Sequence, residues 1–600
     1  MSNTPPLVKT THMEPPPRWA LLQRQLFSQM NEAAEAFVKR YTRPDGTLVW
    51  REEWPGMDGS DDAYESFWSF PLFYALGGSE NVHRLSRRLW SAVTWQFTEY
   101  GQIHREFDAY YDWMHHGESS QYIYGFGLAD PNVHIDRRRA LRFANMYIGE
   151  DDEAQNWDPE RRMIRSPING SRGPRFHMTA EDWSTHRWVL ANYLSPYEDV
   201  PGLDPDDPFA KADWNDDAVF EQILVRMNER MVPGDIPLNL NATSLAASAY
   251  LYTGDPKYKR WVLDYIEAWT ERTRANGGIM PDNIGPNGAV GERMGGNWWG
   301  GYYGWRWPHG ARIILESTLI AGANALLLTG DESYLDLHRS QWDMLWELGR
   351  EEDSVFKTPN RHGRVGWFNY ISPDARYPMH CFALTHSAQD KARLDAAAPP
   401  ESYARRTGFG KGAQAQPGPW LALSQGQNDD APELMMDAAC REVARRLEIM
   451  RNDDGDPNEW DVHHWQDINP VVCEPIAQLS LGSVGAVYHG GLLHATVRYF
   501  DAERRRPGLP PDAAAAVLRA SRGEAEIEFV NASALEERQM IVQAGAFGEH
   551  AFTTAETNGG QTQVNGPCFR LNLAPMSRQR VRVGLKRYVH DPSYNRPWQS

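Results

Sequence analysis

The sequence predicts a mainly helical protein, a ring of helical hairpins followed by an antiparallel β-sandwich. Apolar residues recur at the helical period through the first three quarters of the 600 residues. A helix–Gly–polar–helix pattern repeats within that stretch. From about Ser480 the pattern changes to short segments of period two bounded by turn residues.

Taken in order, residues 1–15 are Pro-rich and expected to be disordered, and the helical region runs over 16–480. Arg18 to Tyr41 places Leu21, Leu22, Phe27, Met30, Ala34 and Phe37 on one stripe. Further helices are predicted near 62–76, 79–99, 134–148, 180–194, 215–230, 241–253, 256–274, 310–329, 332–349 and 430–450. Around Gly77, Gly254 and Gly330 an apolar helix ends at glycine, a polar residue caps, and an amphipathic helix begins. Such hairpins bury both faces only by stacking sideways, and the long Gly/Pro/aromatic loops between them suit a ring with a loop-built face. The β-sandwich is assigned to 481–600 from LLHATVRYF (492–500), AEIEFVNAS (525–533), RQMIVQAG (538–545) and RQRVRVGLKRY (578–588).

Composition excludes several classes. With 61 basic and 80 acidic residues the net charge is −19, which opposes a phosphate backbone, so no nucleic-acid partner is expected. No apolar run near the ~18 residues of a bilayer crossing stands out, so no membrane partner is expected, and the start shows no signal-peptide pattern, so the expected location is cytoplasmic. Cys381, Cys440, Cys473 and Cys568 are too scattered for a disulfide framework or a CxxC metal site. No P-loop, dinucleotide fingerprint, GxSxG elbow or HExxH pattern occurs, and no cofactor is expected. Asp453, Asp454, Asp456 and Asn458 loosely match a calcium loop, but Glu459 stands where Gly is wanted, so a solvated turn is the expectation and no metal is assigned.

The informative excess is aromatic, with 24 Trp, 25 Tyr and 21 Phe, many in loop-like stretches such as NWWGGYYGWRWPHG (297–310). Flat amphipathic rings lining a cleft suit sugar faces. On these elements the chain resembles, over most of its length, the (α/α)6-toroid carbohydrate-active enzymes, the polysaccharide lyases and glycoside hydrolases of that architecture. The likeness is architectural, and no motif of a single family is matched residue by residue. It implies a glycan-processing enzyme with an oligosaccharide or polysaccharide substrate.

Two chemistries compete for the loops. β-Elimination from a uronoside needs a group to neutralise the carboxylate, a base for the C5 proton and an acid for the leaving oxygen. Related lyases use Asn, His, Tyr and Arg in these roles. The resemblance therefore implies Arg175 and Asn241 as uronate-binding groups, His116 as base and Tyr303 as acid, with Arg172, His115, Tyr302 and His309 beside them. Trp298, Trp299 and Trp305 are the expected stacking platforms, with Asp282 and Asn283 in the same set of loops. Paired His residues also fit helix capping or hydrogen bonding to backbone. Hydrolysis instead needs two carboxyl groups flanking the glycosidic oxygen, for which Asp62 or Asp182 with a second carboxylate is the candidate. Asp58, Asp61, Glu65, Glu106, Asp108, Asp112 and Glu181 add carboxylates in the same loops, and Asp61 and Asp62 also fit N-capping of the helix beginning AYESFW. β-Elimination is the leading expectation, ahead of hydrolysis, isomerisation and non-catalytic carbohydrate binding.

Overall fold

The structure is a computed structural model that describes residues 5–10, 12–204 and 206–598; part of the expected disordered segment, residues 1–4 and 11, lies outside them. Two kinds of helix alternate along the chain. The helices Arg18–Tyr41, Glu80–Glu99, His134–Asn145, Pro256–Ala275, Asp336–Glu347 and Ala431–Asn452 bury one stripe and expose the other. Each is followed by a helix buried almost all round, namely Ser69–Leu76, Trp113–Ala129, Thr243–Thr253, Ala311–Thr329, Arg376–Thr385 and Glu474–Leu481. The first five pairs lie against one another in succession, and the first helix packs along Ala431–Asn452, near the end of the helical region.

The glycine hinges are as the sequence suggests. Gly254 and Gly330 end their helices in the left-handed region at φ 67° and 74°. The next helical segment is then capped by Asp255 on the Lys257 N–H (3.0 Å) and by Asp331 on the Ser333 N–H (2.9 Å). The expected 180–194 helix is instead broken into Glu181–Trp183 and Arg187–Leu190. Ala311–Thr329 is apolar enough to cross a bilayer by length and composition, a run the sequence reading passed over, but 94% of its apolar window is buried among the other helices.

The C-terminal strands form two five-stranded sheets. One runs Leu7–Thr10, Cys568–Leu573, Arg538–Ala544, Val497–Asp501, Arg506–Pro507, and the other Ala513–Ala520, Glu524–Asn531, Ser577–Lys586, Ala551–Thr557, Gly560–Gly566. All pairings are antiparallel except Leu7–Thr10 on Cys568–Leu573. The 1–15 segment thus supplies an ordered strand, because its Leu7 to Thr10 N–H and C=O groups find an open edge at Arg570 to Leu573, far along the chain. Side chains of the two sheets meet, with the Tyr499 and Phe529 rings 5.8 Å apart and Phe552 and Phe569 5.1 Å apart. The sheets are tied to the first helix by Gln23, which donates to the Ala515 carbonyl and accepts from its N–H. A third, three-stranded sheet over Arg350–Ile371 lies within the helical region.

Candidate active site

Loops at the N-terminal ends of the buried helices converge on a cavity of about 260 Å³. Its wall holds Asp58, Asp61, Asp62, Glu118 and Asp182, with His115, His186, His309 and His463. Trp183, Tyr193, Tyr302, Tyr303 and Trp307 supply aromatic faces. Lys411 is the one lysine of the lining, which contains no arginine.

The acidic turn is built by Gly59, whose φ of 119° lets the chain fold back between Asp58 and the short helix Ser60–Glu65. The Trp54 indole donates to the Asp58 carbonyl at 2.8 Å, and a Cβ on Gly59 would stand 2.7 Å from that indole nitrogen. Asp61 and Asp62 do not cap this helix; its cap residue is Gly59, and both carboxyls are buried in the first turn. Asp58 accepts from Tyr111 and lies 3.3 Å from His186 Nε2. Asp62 accepts from Gln466 and faces His463 at 3.5 Å and Lys411 at 3.8 Å. Glu65, fully buried behind them, accepts from the Tyr488 hydroxyl.

The facing helix begins at Asp112, which caps the Met114 N–H (2.9 Å). The same residue holds His115 Nδ1 at 2.9 Å and accepts from the Tyr302 hydroxyl at 3.1 Å. His115 stacks on Tyr111 with ring centroids 4.0 Å apart, and one turn further on Glu118 meets Asp61.

The electrostatics follow from crowding acids away from water. Burial raises the proton affinities of Asp61, Asp62 and Glu118 above the ordinary carboxyl range, and neighbouring carboxylates add to it. Burial pushes Glu65 up to about 8 against the opposing pull of Lys411. The cations answer in kind. Burial alone would lower His115, His463 and Lys411, but the surrounding carboxylates outweigh it; His463 reaches about 9 with Asp461 and Asp62 beside it, and Lys411 is raised by Asp62 and Glu65. His309, which lacks an acidic partner, is lowered to about 3 by burial and Arg312.

Of the sequence-predicted residues, Asp62, Asp182, His115, Tyr302, Tyr303 and His309 share this cavity. His116 does not line it: its ring nitrogens are held by Asp108 (3.1 Å) and the Asn169 carbonyl (3.0 Å), leaving neither free to act as a base. Asn241 is buried with its amide on the His489 carbonyl at 2.9 Å. Arg175 is bound to Asp182 at 2.7 Å, and Arg172 is exposed outside the lining. Trp305 is no platform, being fully buried with its indole on the Met280 carbonyl at 2.7 Å. Asp282 organises the Trp-rich loop by accepting the N–H groups of Gly300, Gly301 and Trp305 at 2.8–3.0 Å, while Asn283 ties the loop at the Asn297 carbonyl. Trp298 packs on His362 and Trp367, and Trp299 lines a different groove of about 740 Å³ with Arg230, Arg293 and Arg306.

Sequence reasoning missed Glu118, Lys411, Tyr488 and His489. Glu118 follows His115 and His116 by three and two positions, whereas Lys411 stands in a segment with no distinguishing pattern. Asp453, of the supposed calcium loop, is taken up by Tyr41 and His464, and Asp456 caps its own turn at Asn458. Cation-ligating atoms instead converge at Asp58, Asp61 and His115, one from each lying within 4.8 Å of the others.

The chain matches, over residues 7–358 and 350–477, the family described as a domain of unknown function, DUF8034. It belongs to that family. No curated protein matches this DUF8034 chain. Solved structures similar to it include cellobiose 2-epimerase from Bacillus thermoamylovorans B4167, at 13% identity, 58% coverage of this chain and 91% of that one, with a TM-score of 0.21. Endoglucanase CelQ from Clostridium thermocellum, complexed with cellotriose, shares 11% identity over 96% of this chain and 94% of that one, at a TM-score of 0.28. A GH127 β-arabinofuranosidase shares 9% over 96% and 80%, at 0.26. At these scores the likeness carries no functional weight for DUF8034, whose chemistry rests on the site itself.

Proposed function

We propose that this chain is a glycoside hydrolase acting on an uncharged oligosaccharide, its paired helices over 16–480 closing into an (α/α)6 ring and the strands of 481–600, with Leu7–Thr10, forming a β-sandwich. The observation that carries the reading is the cavity wall: carboxyl groups with raised proton affinity, aromatic faces, and no arginine. A uronate carboxylate placed there would face Asp58, Asp61, Asp62 and Glu118 with Lys411 and histidines as its only cations, a costly arrangement in a site of low dielectric. A neutral sugar meets no such penalty and can stack on Trp183 or Trp307.

Glycoside cleavage uses one carboxyl group that is protonated at working pH and one that is ionised. Glu118, hydrogen-bonded to Asp61 and pushed up by burial, fits the acid that gives its proton to the leaving oxygen. Asp58, fixed by Tyr111 and His186, fits the carboxylate that assists attack at the anomeric carbon and takes the proton of the incoming water. Lys411 and His463 hold Asp62 in place beside them. An oligosaccharide is favoured over a single sugar because Tyr193, Pro308 and His309 also wall a second cleft of about 260 Å³, lined by Trp342, Trp346, Arg312, Arg361 and Asp374, so the absence of arginine bears on the sugar at the acidic wall and not on those beyond it. β-Elimination fits less well, since Arg175 is committed to Asp182, and His116 and Asn241 are bonded away from the cavity.

The test is incubation with a panel of neutral oligosaccharides and uronate-containing ones, reading reducing ends and ultraviolet absorbance together. Reducing ends from a neutral substrate without an unsaturated product are expected. An unsaturated uronate, an isomer of unchanged mass, or binding without turnover across the panel would overturn the reading.

A further inference from the structure

The larger hollow of the molecule, the groove at Trp299, carries charge of the opposite sign to the acidic wall. It measures about 740 Å³ and is lined by Arg230, Arg293, Arg306 and Arg364, with Glu198 and Asp199 as its only carboxylates. Both acids are already paired. Asp199 takes Arg230 in a two-pronged bond at 2.7 and 3.0 Å, and Glu198 takes Arg306 at 3.0 Å. Arg293 and Arg364 are exposed, and among the described residues neither guanidinium has a carboxylate partner. Four arginines against two acids leave two guanidinium groups in excess, in a chain of net charge −19. His362 does not alter that balance, since burial lowers it to about 4. The groove also holds polar atoms that the fold leaves unspent. Arg306 is 2% exposed; its Nε goes to the Ser195 carbonyl at 3.2 Å and its Nη1 to Glu198, while Nη2 makes no bond within the protein. The Tyr197 hydroxyl and His362 Nδ1 likewise have no partner. The wall is closely fitted around Arg306: a Cβ on Gly363, at the end of the strand Val355–Gly363, would stand 2.9 Å from Arg306 Nη1 and 2.8 Å from Glu198 Oε1.

We infer that this groove is a second saccharide site, separate from the acidic cavity, and that it takes a sugar bearing a carboxylate. Unpaired guanidinium groups are what a carboxylate needs, because their planar forks match its two oxygens. A small inorganic anion would need the arginines alone. Here they stand beside the half-buried Trp299 ring, which lies 5.5 Å from the His362 ring, and an indole in a groove gives the C–H face of a sugar a flat surface to stack on. The volume, about 740 Å³ against about 260 Å³ for the acidic cavity, gives room for more than one ring. No bond is made or broken in the groove. The Trp-rich loop reaches both hollows, with Trp299 and Arg306 in the groove and Tyr302, Tyr303 and Trp307 in the cavity. Charge sorts the ligands between them: the carboxylates of the cavity repel a uronate that the arginines of the groove attract. The inference goes beyond the hydrolase reading and does not depend on it.

The test is calorimetric titration of the full-length protein with a galacturonate trisaccharide, with its methyl ester and with inorganic phosphate. The free acid should bind, and the ester, which keeps the shape and loses the charge, should bind about tenfold more weakly or worse. Added salt should weaken the acid and not the ester. R293Q and R364Q, both at exposed positions, should each weaken the acid about tenfold, the loss expected for one hydrogen bond to a charged group. W299A should weaken the trisaccharide and leave phosphate unchanged, and E118Q, in the other hollow, should leave the affinity as it is. An ester that binds as well as the acid, or an affinity unmoved by R293Q and R364Q together, overturns the site. Phosphate that competes at equal affinity, with W299A silent, marks a plain anion site and overturns the sugar. An affinity lost in E118Q puts the acid in the cavity and overturns the separation of the two hollows. Turnover of a neutral oligosaccharide is read apart from these titrations, so the hydrolase reading fails or stands on its own.

Discussion

The Trp-rich loop at 297–310 and the acidic turn at 58–65 both present buried aspartates, and they put them to opposite uses. In the loop, Asp282 accepts three backbone N–H groups and the Asn283 amide, and these donors oppose the burial that raises its proton affinity. In the turn, Asp61 and Asp62 are surrounded by further carboxyls that raise one another's proton affinity. The first arrangement is what a fold does to hold a loop, and the second is tolerated only where a protonated carboxyl is useful. The most conspicuous stretch of the sequence is therefore scaffold, and the chemistry sits in a plainer one.

That contrast can be broken by substitution. E118Q should lower turnover of a neutral oligosaccharide by about 10³-fold, within the usual range for losing a general acid, with no fall in melting temperature. D282A should do the reverse in kind: it leaves the N–H groups of Gly300, Gly301 and Trp305 unsatisfied, and the loss should be about 3 kcal/mol in denaturant unfolding. Equal losses of stability in both variants would erase the distinction.

The pH dependence of stability sharpens it further. Glu65 is raised from an ordinary 4.5 to about 8, so its contribution is fully present below pH 4.5 and is lost as pH rises through about 8. E65Q should flatten the decline in melting temperature across that window. Asp390 is the opposite case. It is paired with Arg339 at 2.8 Å and with Thr385 and Ser387, and although burial would raise it, these partners bring it down from 3.8 to about 2. Its contribution, about 2 kcal/mol, is present above pH 3.8 and lost as pH falls through about 2. D390N should remove that acid-side loss, read from urea midpoints, while leaving the slope on the alkaline side unchanged.

Much of the fold was legible because period and punctuation agreed. The one-sided helices and the hinges at Gly254 and Gly330 carry their own signals, as do the strands near 525, 538 and 578. The helix Trp113–Ala129 was not foreseen, because a helix buried on all sides has no stripe, and its glycines at 117, 125 and 127 read as loop. Those glycines are packing devices: a Cβ on Gly125 would meet Pro71 and one on Gly127 the Tyr594 ring. The site was legible in part. Residue types gathered near sequence positions 58–62, 112–118 and 302–309 were visible as candidates, and the cavity unites them. Lys411, Tyr488 and His489 were not, since what brings them under the cavity is the docking of distant loops, a property of the packed structure.

The most direct test is a crystal structure of E118Q soaked with an uncleaved neutral oligosaccharide. The sugar should lie against Trp183 and Trp307 with a glycosidic oxygen beside residue 118 and the anomeric carbon toward Asp58. Sugar seated instead in the arginine-lined groove at Trp299, with the acidic cavity empty, would contradict the account.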